Sequence, residues 1–209
     1  MNPFEFAYFT ENFMKNILRP ALVLFLLLTF LTGIVYPLLV TGLAQTLFPF
    51  QAHGSLILRD GKVIGSTLIG QSFTDPAHFW SRPSATAPMS HNAAASSGSN
   101  LGPMNPALME AVKSRVAALR AADPANTAAV PVDLVTASAS GLDPHISLAA
   151  AQYQLGRVAT AHKLSTQVVQ GLIDQATQRP LLRLLGEPVV NVLQLNLALD
   201  AHSSHGNTH

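Results

Sequence analysis

The 209-residue chain has few charged residues, 11% of the total, and a formal net charge of +1. Because a soluble domain usually has about 25% charged residues, this deficit indicates a membrane segment or an apolar, partner-bound domain. The near-zero net charge argues against nucleic-acid binding, which depends on basic side chains that face phosphates. The chain contains no cysteine, which excludes disulfides, thiolate catalysis and cysteine-ligated metals.

The first predicted element is a membrane helix over residues 20–48. No Asp, Glu, Lys or Arg occurs from Pro20 to Leu58. As a helix, the apolar stretch 21–43 would span about 34 Å, enough to cross a hydrocarbon core of about 30 Å. A cleaved signal peptide is the alternative, with the small residues 42–44 as its cleavage site. The apolar region of a signal peptide runs only about 7–15 residues, so the length favours a retained anchor.

Small residues and a proline within this helix predict how it packs. Glycine lets a second helix approach closely. Proline is tolerated in a membrane helix where neighbouring groups re-satisfy the backbone. The candidate membrane-helix residues are Leu22, Gly33, Pro37 and Gly42.

Basic residues predict the orientation of the anchor. Lys15 and Arg19 precede the span, and no basic residue other than histidine follows until Arg59. By the positive-inside rule, the N-terminus is then cytoplasmic and the rest of the chain lies outside the cytoplasm. The predicted organisation is a cytoplasmic leader at 1–19, the transmembrane anchor at 20–48, an extracytoplasmic α+β domain at 51–200 and a flexible histidine-containing tail at 201–209.

The outer domain begins with signals that are local and specific. Asp60-Gly61 joins two β-rich runs and predicts a hairpin over 55–70. Asn105 as N-cap and Pro106 at the first helical position predict a helix over 105–122. Between these elements, the Pro-, Ser- and Gly-rich stretch 74–106 predicts a long loop, which in a compact domain is usually functional or disordered.

The remaining elements of the domain are predicted from periodicity and capping. Asp143 as N-cap and Pro144 at the first helical position predict the start of a helix. Ser165 is the predicted cap of the next helix, and leucines alternating with Gln194, Asn196 and Ala198 predict a half-buried strand. These elements are a strand over 131–138, helices over 144–162 and 165–177, and a strand over 189–200. The fold class is therefore α+β, with one N-terminal transmembrane helix followed by a single extracytoplasmic α+β domain.

The stretch "ASASGLDPHIS" (137–147) combines serine, aspartate and histidine, the groups of a hydrolytic triad. A triad usually draws its members from separate segments, and an Asp143 committed to a helix cap would not orient His145 freely. The chain has no G-x-S-x-G elbow and no H-E-x-x-H, and its histidines lie at no familiar ligand spacing. No catalytic and no metal residues are therefore predicted. A membrane-anchored hydrolase that uses Ser138 or Ser140 stays open as an alternative, and so does a solute-binding domain built on the long loop and Trp80.

Several long strings occur in an order that resembles the KdpC family, the small single-span subunit of the Kdp potassium-importing P-type ATPase complex. They include "GIVYPLLVTGLAQTLFP" (33–49), "GSTLIGQSF" (65–73), "FWSRPSATA" (79–87), "SGSNLGPMNP" (97–106), "VPVDLVTASASGLDPHIS" (130–147) and "LGEPVVNVLQLNLALD" (185–200). The departures from the family pattern are small and lie at Ser97, Ala139, Leu148 and the longer leader. The structural or partner-contact candidates in these strings are Gln71, Trp80, Arg82, Asn100, Asp143 and Asn191.

The resemblance implies a non-catalytic subunit of the cell inner membrane. Its partners would be a channel-like potassium-binding subunit and an ATP-hydrolysing P-type subunit. It would be needed for assembly and would act as a catalytic chaperone that raises the partner's affinity for ATP. It would carry no cofactor of its own, since ATP and potassium are handled by the complex. The sequence has neither a D-K-T-G phosphorylation motif nor a phosphate loop. Its outer position further suggests a role at the potassium entrance, through the 74–106 loop or the 137–147 turn.

Overall fold

A computed structural model of the protein describes residues 14–180 and 186–206. The chain forms two compact units, Met1–Ser55 and Leu56–His209. Most of the predicted leader, residues 1–13, lies outside the described residues, as does the end of the predicted tail, residues 207–209.

The first unit is dominated by one long apolar helix, Asn16–Leu47, which contains an 18-residue stretch with a mean hydropathy of 2.5 and no buried residue. By length and composition this helix can cross a membrane, since its 32 residues give about 48 Å. It consists of α1 (Arg19–Phe30) and α2 (Tyr36–Leu47), with π-helical turns at Met14–Leu18 and Leu31–Val35, and a short helix α3 (Pro49–Ala52) follows. The predicted apolar helix is thus present, and it begins a few residues earlier than predicted.

Both prolines near this helix follow a π-helical turn. The ring of a proline clashes with the carbonyl four residues before it, and proline lacks the N–H that this carbonyl needs. The turn before Pro37 is wider, because the Tyr36 N–H bonds to the Leu31 carbonyl five residues back. A π-helical turn therefore lets the helix continue through each proline. A Cβ added at Gly33 or Gly42 would meet no other residue of this chain within 4 Å, so the chain itself does not require glycine at either position.

The second unit is a mixed helical and sheet domain, which confirms the α+β class. Two-stranded and three-stranded antiparallel sheets have the strand orders β1-β2 and β3-β5-β4. Single 3₁₀ turns lie at Ala93–Ala95 and Val132–Leu134. The strands and helices are β1 (Leu56–Arg59), β2 (Lys62–Ser66), α4 (Pro106–Ala122), β3 (His145–Ser147), α5 (Leu148–His162), α6 (Thr166–Ala176), β4 (Thr177–Gln178), β5 (Val189–Asn191) and α7 (Val192–Gly206).

The core lies between the three-stranded sheet and helices α5, α6 and α7. Burial of apolar side chains is the main driving force for such a unit. Phe79, which belongs to the long loop, is completely buried in this core although it lies in no helix or strand. The other fully buried large apolar side chains are Ile146, Val158, Val169, Ile173, Val190, Val192, Leu195 and Leu199.

The local turn and capping signals predicted three elements correctly. The hairpin turns at Asp60 and Gly61, whose φ angles are 52° and 74°. The side chain of Asn105 caps α4 by accepting from the Ala107 N–H at 2.9 Å. Ser165 caps α6, and the Val169 and Ile173 side chains of that helix are buried, whereas Val168 is exposed.

The predicted strand over 189–200 is wrong beyond its first three residues, because α7 begins at Val192. Asn191 accepts a hydrogen bond from the Gln194 N–H at 3.1 Å, as a residue that caps a helix does. Buried residues then recur at Val192, Leu195 and Leu199, the spacing of one helix face. The period of two in the leucines coincided with a helix that is buried on most sides. α7 also extends into the predicted tail as far as Gly206.

The predicted strand over 131–138 is also wrong, since the segment forms a 3₁₀ turn at Val132–Leu134. Leu134 and Val135 are buried one after the other, which an alternating strand does not allow. The Thr136 hydroxyl and N–H both donate to the Val132 carbonyl and close the turn.

The helix predicted over 144–162 begins four residues late, at Leu148, because residues 145–147 pair with β5 as strand β3. Its cap is Ser147, whose hydroxyl accepts from the Ala150 N–H at 3.0 Å. The predicted capping role of Asp143 is therefore wrong.

Candidate functional site: two paired loops

The predicted long loop and the 137–147 turn lie side by side as one element, which we call the paired loops (residues 70–98 and 138–145). Three consecutive carbonyls of the turn accept hydrogen bonds from the long loop. Ser140 accepts from the Ser97 N–H at 3.0 Å, Gly141 from the Ser84 hydroxyl at 2.7 Å, and Leu142 from the Gly70 N–H at 2.8 Å. The polar loop is thus ordered by the backbone of the turn and does not depend on a sheet.

Three glycines make this close approach possible. A Cβ on Gly70 would lie 2.7 Å from the Asp143 carbonyl oxygen, and one on Gly98 would lie 2.7 Å from that of Ala139. Gly141 has a φ of 67°, and its Cβ would lie 2.6 Å from the Ser97 carbonyl oxygen. Side chains at these positions would separate the two backbones, so the glycines are structural requirements of the paired loops.

An ion pair closes one end of the paired loops. The Arg82 guanidinium donates to Asp143 Oδ2 at 3.0 Å. Asp143 Oδ1 accepts from the His145 backbone N–H at 3.0 Å and lies 3.2 Å from His145 Nδ1. Asp143 thus contacts His145 directly, contrary to expectation, within a short Asx turn. Arg82 and Asp143 were both candidates, and the structure brings them together.

The electrostatics of this end favour a charged Asp143 and a neutral His91. Burial raises the pKa of the Asp143 carboxyl, but its hydrogen bonds with His145 and the charge of Arg82 outweigh this effect, so that the pKa lies below its ordinary value. Burial lowers the pKa of His91, and the Asp143 charge only partly opposes this. The imidazole of His91 packs against Gly70. These groups are held as a fixed polar network.

No hydrolytic triad exists in the turn. Among the described residues, neither Ser138 nor Ser140 hydrogen-bonds a histidine, and the Ser140 hydroxyl instead accepts from the Leu142 N–H. The structure does contain a serine–histidine pair, with Ser203 Oγ 2.7 Å from His162 Nδ1. There the Ser203 hydroxyl donates to the Leu199 carbonyl, and the other ring nitrogen of His162 faces the Ala77 carbonyl, so no carboxylate orients the ring. In residues 14–180 and 186–206, no cluster of three or more His, Asp or Glu side chains is arranged to hold a metal ion.

Two buried side-chain amides hold the start of the long loop, and sequence reasoning missed both. Asn196 accepts from the Phe79 N–H at 2.9 Å and donates to the Phe79 carbonyl at 3.0 Å. Gln154 accepts from the Trp80 N–H at 2.8 Å and donates to the Trp80 carbonyl at 3.1 Å. Each amide thus makes the two hydrogen bonds to one loop residue's backbone that a neighbouring strand would otherwise make. We call these two contacts the amide clamps.

Arg157 completes this anchor. Its guanidinium lies 5.0 Å from the centre of a Trp80 ring, a cation–π distance. It also donates to the carbonyls of Pro76 and His78 and to the Gln154 side chain. Burial is the main cause that lowers the pKa of Arg157 from its usual value. Trp80 is thus a half-buried anchor of the loop.

The remaining candidate residues lie outside the ion pair. The Gln71 side chain donates to the Ile64 carbonyl at 2.7 Å, and the Asn191 side chain donates to the Thr67 carbonyl at 2.9 Å. Both therefore attach the β1–β2 hairpin and the residues that follow it to the domain. Asn100 is exposed with a φ of 50°, which suits asparagine in the left-handed region. Of the membrane-helix candidates, Leu22, Gly33 and Gly42 lie on the exposed surface of the helix.

Over the described residues, the chain combines one helix able to cross a membrane with an α+β domain whose polar groups hold loops in place. The described residues include no assembled catalytic centre. The family model described as "K+-transporting ATPase, c chain" matches residues 18–201. The chain belongs to the KdpC family.

Curated relatives match nearly the whole chain. A potassium-transporting ATPase KdpC subunit of Polaromonas naphthalenivorans is 71% identical over 188 residues, which cover 90% of this chain and 96% of the relative. The KdpC subunit of Variovorax paradoxus is 65% identical and covers 91% and 99%. That of Methylococcus capsulatus is 64% identical and covers 90% and 99%. The resemblance found in the sequence strings is therefore confirmed.

Proposed function

We propose that this chain is the non-catalytic small subunit of an ATP-driven potassium-import complex of the cell inner membrane. The observation that carries the proposal is the family match over residues 18–201, which joins the membrane helix and the outer domain in one unit of sequence. The relatives are named as subunits of a potassium-transporting ATPase. The chain has no D-K-T-G motif, so phosphoryl transfer belongs to a partner subunit.

The partners we propose are a channel-like potassium-binding subunit and a P-type ATP-hydrolysing subunit. In this arrangement the chain supports assembly and raises the ATP affinity of the hydrolysing subunit, and it has no cofactor of its own. Lys15 and Arg19 before the helix support a cytoplasmic N-terminus. The outer domain then lies on the opposite side of the membrane from cytosolic ATP. Coupling therefore runs through the membrane helix or through a shift between conformations of the partner, which requires only different affinities for its states.

The complex purified with and without this chain tests the proposal. Both partner subunits should co-purify with the tagged chain, and its presence should lower the KM for ATP several-fold. Ser138→Ala should leave ATP turnover nearly unchanged, since within the described part of the chain Ser138 takes part in no catalytic hydrogen bond. The proposal is wrong if the other subunits assemble without the chain and hydrolyse ATP with the same KM.

The proposed orientation has its own test. Because the chain contains no cysteine, Met104→Cys provides one exposed thiol in the outer domain. A membrane-impermeant maleimide should label it in intact spheroplasts without lysis. Labelling only after lysis would reverse the orientation and leave the family assignment intact.

We also propose a role for the outer domain at the potassium entrance. The observation that favours it is that hydrogen bonds join the two segments proposed for this role in the paired loops. Ala94 is an exposed residue of that element. Ala94→Asp and Ala94→Lys should shift the apparent potassium affinity of the complex in opposite directions, because a fixed charge changes the local cation concentration. Ala129→Lys, at an exposed site away from the paired loops, is the control, and equal affinities in all three variants would contradict this role.

A further inference from the structure

The β1–β2 hairpin has one face toward the domain and one apolar face toward solvent. On the inner face, a Cβ at Gly65 would lie 2.7 Å from the Leu193 side chain of α7, so the backbone is in close contact with the domain there. On the outer face, Leu56, Leu58 and Val63 are 41%, 63% and 57% exposed. Leu58 and Val63 are direct cross-strand partners. An apolar cross-strand face normally packs against something.

The tip of the hairpin has an unfavourable arrangement of charge. Arg59 is the direct cross-strand partner of Lys62, and like charges directly opposite each other destabilise a sheet. From residue 48 to residue 68, Asp60 is the one acidic residue against these two cations. The tip is therefore net positive, and an anionic surface would relieve the repulsion.

The length of the connecting chain limits how far this hairpin can lie from the end of the membrane helix. Eight residues, 48–55, separate Leu47 at the end of the membrane helix from Leu56 at the start of β1. Even fully extended, they would reach only about 30 Å, and part of the segment is helical. Phe48 and Phe50 of this segment are exposed, as suits side chains at a bilayer interface.

We propose that the outer face of the hairpin lies in the headgroup region of the bilayer and prefers anionic lipids. Leu56, Leu58 and Val63 enter the boundary between headgroups and acyl chains. Arg59 and Lys62 are at the tip on the other face of the strands, and their long side chains reach past the edge of the hairpin to the lipid phosphates. This combination of an apolar face and basic side chains is the one that binds membrane interfaces. The proposal requires a helix that spans the bilayer, and it is independent of the potassium-pump assignment.

The test uses the full chain in lipid nanodiscs. Since the sequence contains no cysteine, Leu58→Cys can be labelled at one position with an environment-sensitive fluorophore. The label should show a blue shift and strong quenching by doxyl-labelled lipid in phosphatidylglycerol-containing nanodiscs. Both signals should be weaker in pure phosphatidylcholine. Val132→Cys, at an apolar side chain that is 70% exposed in the same domain, is the matched control and should be quenched several-fold less.

Charge dependence is tested in the same background. Adding Arg59→Gln and Lys62→Gln should remove the difference between anionic and neutral lipid. Unchanged fluorescence of Trp80, the sole tryptophan, shows that the domain remains folded. Equal quenching at positions 58 and 132 would overturn the proposal, and equal signals in both lipids would overturn the anionic preference. A blue shift at 58 that appears only with the partner subunits, without lipid quenching, would assign the face to a protein partner and also overturn it.

Discussion

The start of the long loop and the β1–β2 hairpin show opposite relations between regular structure and burial. Phe79 lies in no helix or strand, yet it is completely buried and its backbone is paired through an amide clamp. The hairpin is a regular two-stranded sheet, yet Leu58 and Val63 on its outer face remain exposed. Side-chain amides can thus replace the sheet pairing that a buried backbone requires. Phe79 of the loop is therefore part of the core, whereas the outer face of the hairpin is part of the surface.

The largest effect is expected at the Asn196 clamp. Asn196→Leu puts an apolar side chain of similar size in the core but leaves the N–H and carbonyl of Phe79 buried without partners. Each such group costs about 1–3 kcal/mol, so we expect a loss of about 3 kcal/mol in the free energy of unfolding. Denaturant unfolding of the full chain in detergent, followed by Trp80 fluorescence, measures it. Gln194→Leu, on the same helix but only half-buried, is the control. A similar small loss in both variants would show that the loop is not held by the clamp.

The paired loops should be nearly as sensitive at Gly141. Gly141→Ala forces a side chain into a positive φ and against the Ser97 carbonyl oxygen, which should cost about 2 kcal/mol in the free energy of unfolding. Gly102→Ala is the matched control, because its Cβ would meet nothing within 4 Å. If the two alanine variants unfold at the same denaturant concentration, the close backbone approach has been overestimated.

Acid should loosen the Arg82–Asp143 end of the paired loops. Because the pKa of Asp143 is lower in the folded state than its ordinary value of 3.8, its stabilising effect is complete above that value. The effect is lost as the pH falls through the folded pKa. Asp143→Asn should therefore cost about 1 kcal/mol near neutral pH and flatten the stability curve below about pH 4. A wild-type and a variant curve that stay parallel below pH 4 would contradict the ion pair.

The smallest effect is expected on the outer face of the hairpin. Leu58→Thr removes an exposed side chain and keeps a β-former, so the free energy of unfolding should change by no more than about 0.5 kcal/mol in detergent. The same denaturant measurement applies. A loss comparable to that of Asn196→Leu would mean that the hairpin face belongs to the core, and the comparison between the two regions would fail.

The elements whose turn or start depends on neighbouring residues were predicted correctly from the sequence. Asp60-Gly61 determines the hairpin turn, and Asn105 with Pro106 determines the start of α4. The errors occurred where distant partners decide the structure. Residues 145–147 became a strand because β5 pairs with them, so Asp143 could not cap a helix there. In α7, burial on most sides concealed the helical period behind alternating leucines.

Individual residues of the candidate site were likewise predictable from the sequence, but the contacts between them were not. Arg82 and Asp143 were both candidates from family strings, but their pairing joins positions 61 residues apart. The amide clamps join positions 117 and 74 residues apart, and asparagine or glutamine on an apolar helix gives no sign of which backbone it holds. The one available signal was Asn196 itself, a polar residue in a leucine-rich run.

The two glycines of the membrane helix have a consequence for its neighbours. Gly33 and Gly42 are nine positions apart, which is about two and a half turns at 3.6 residues per turn. The π-helical turn at Leu31–Val35 changes this count by only part of a turn, so the two glycines lie on different sides of the helix. A second helix can approach closely at Gly33 on one side of this helix, and another can do so at Gly42 on a different side and at a different depth in the membrane. Such a helix is suited to pack between two neighbouring helices. It does not offer one glycine-lined face for pairing with a second copy of itself.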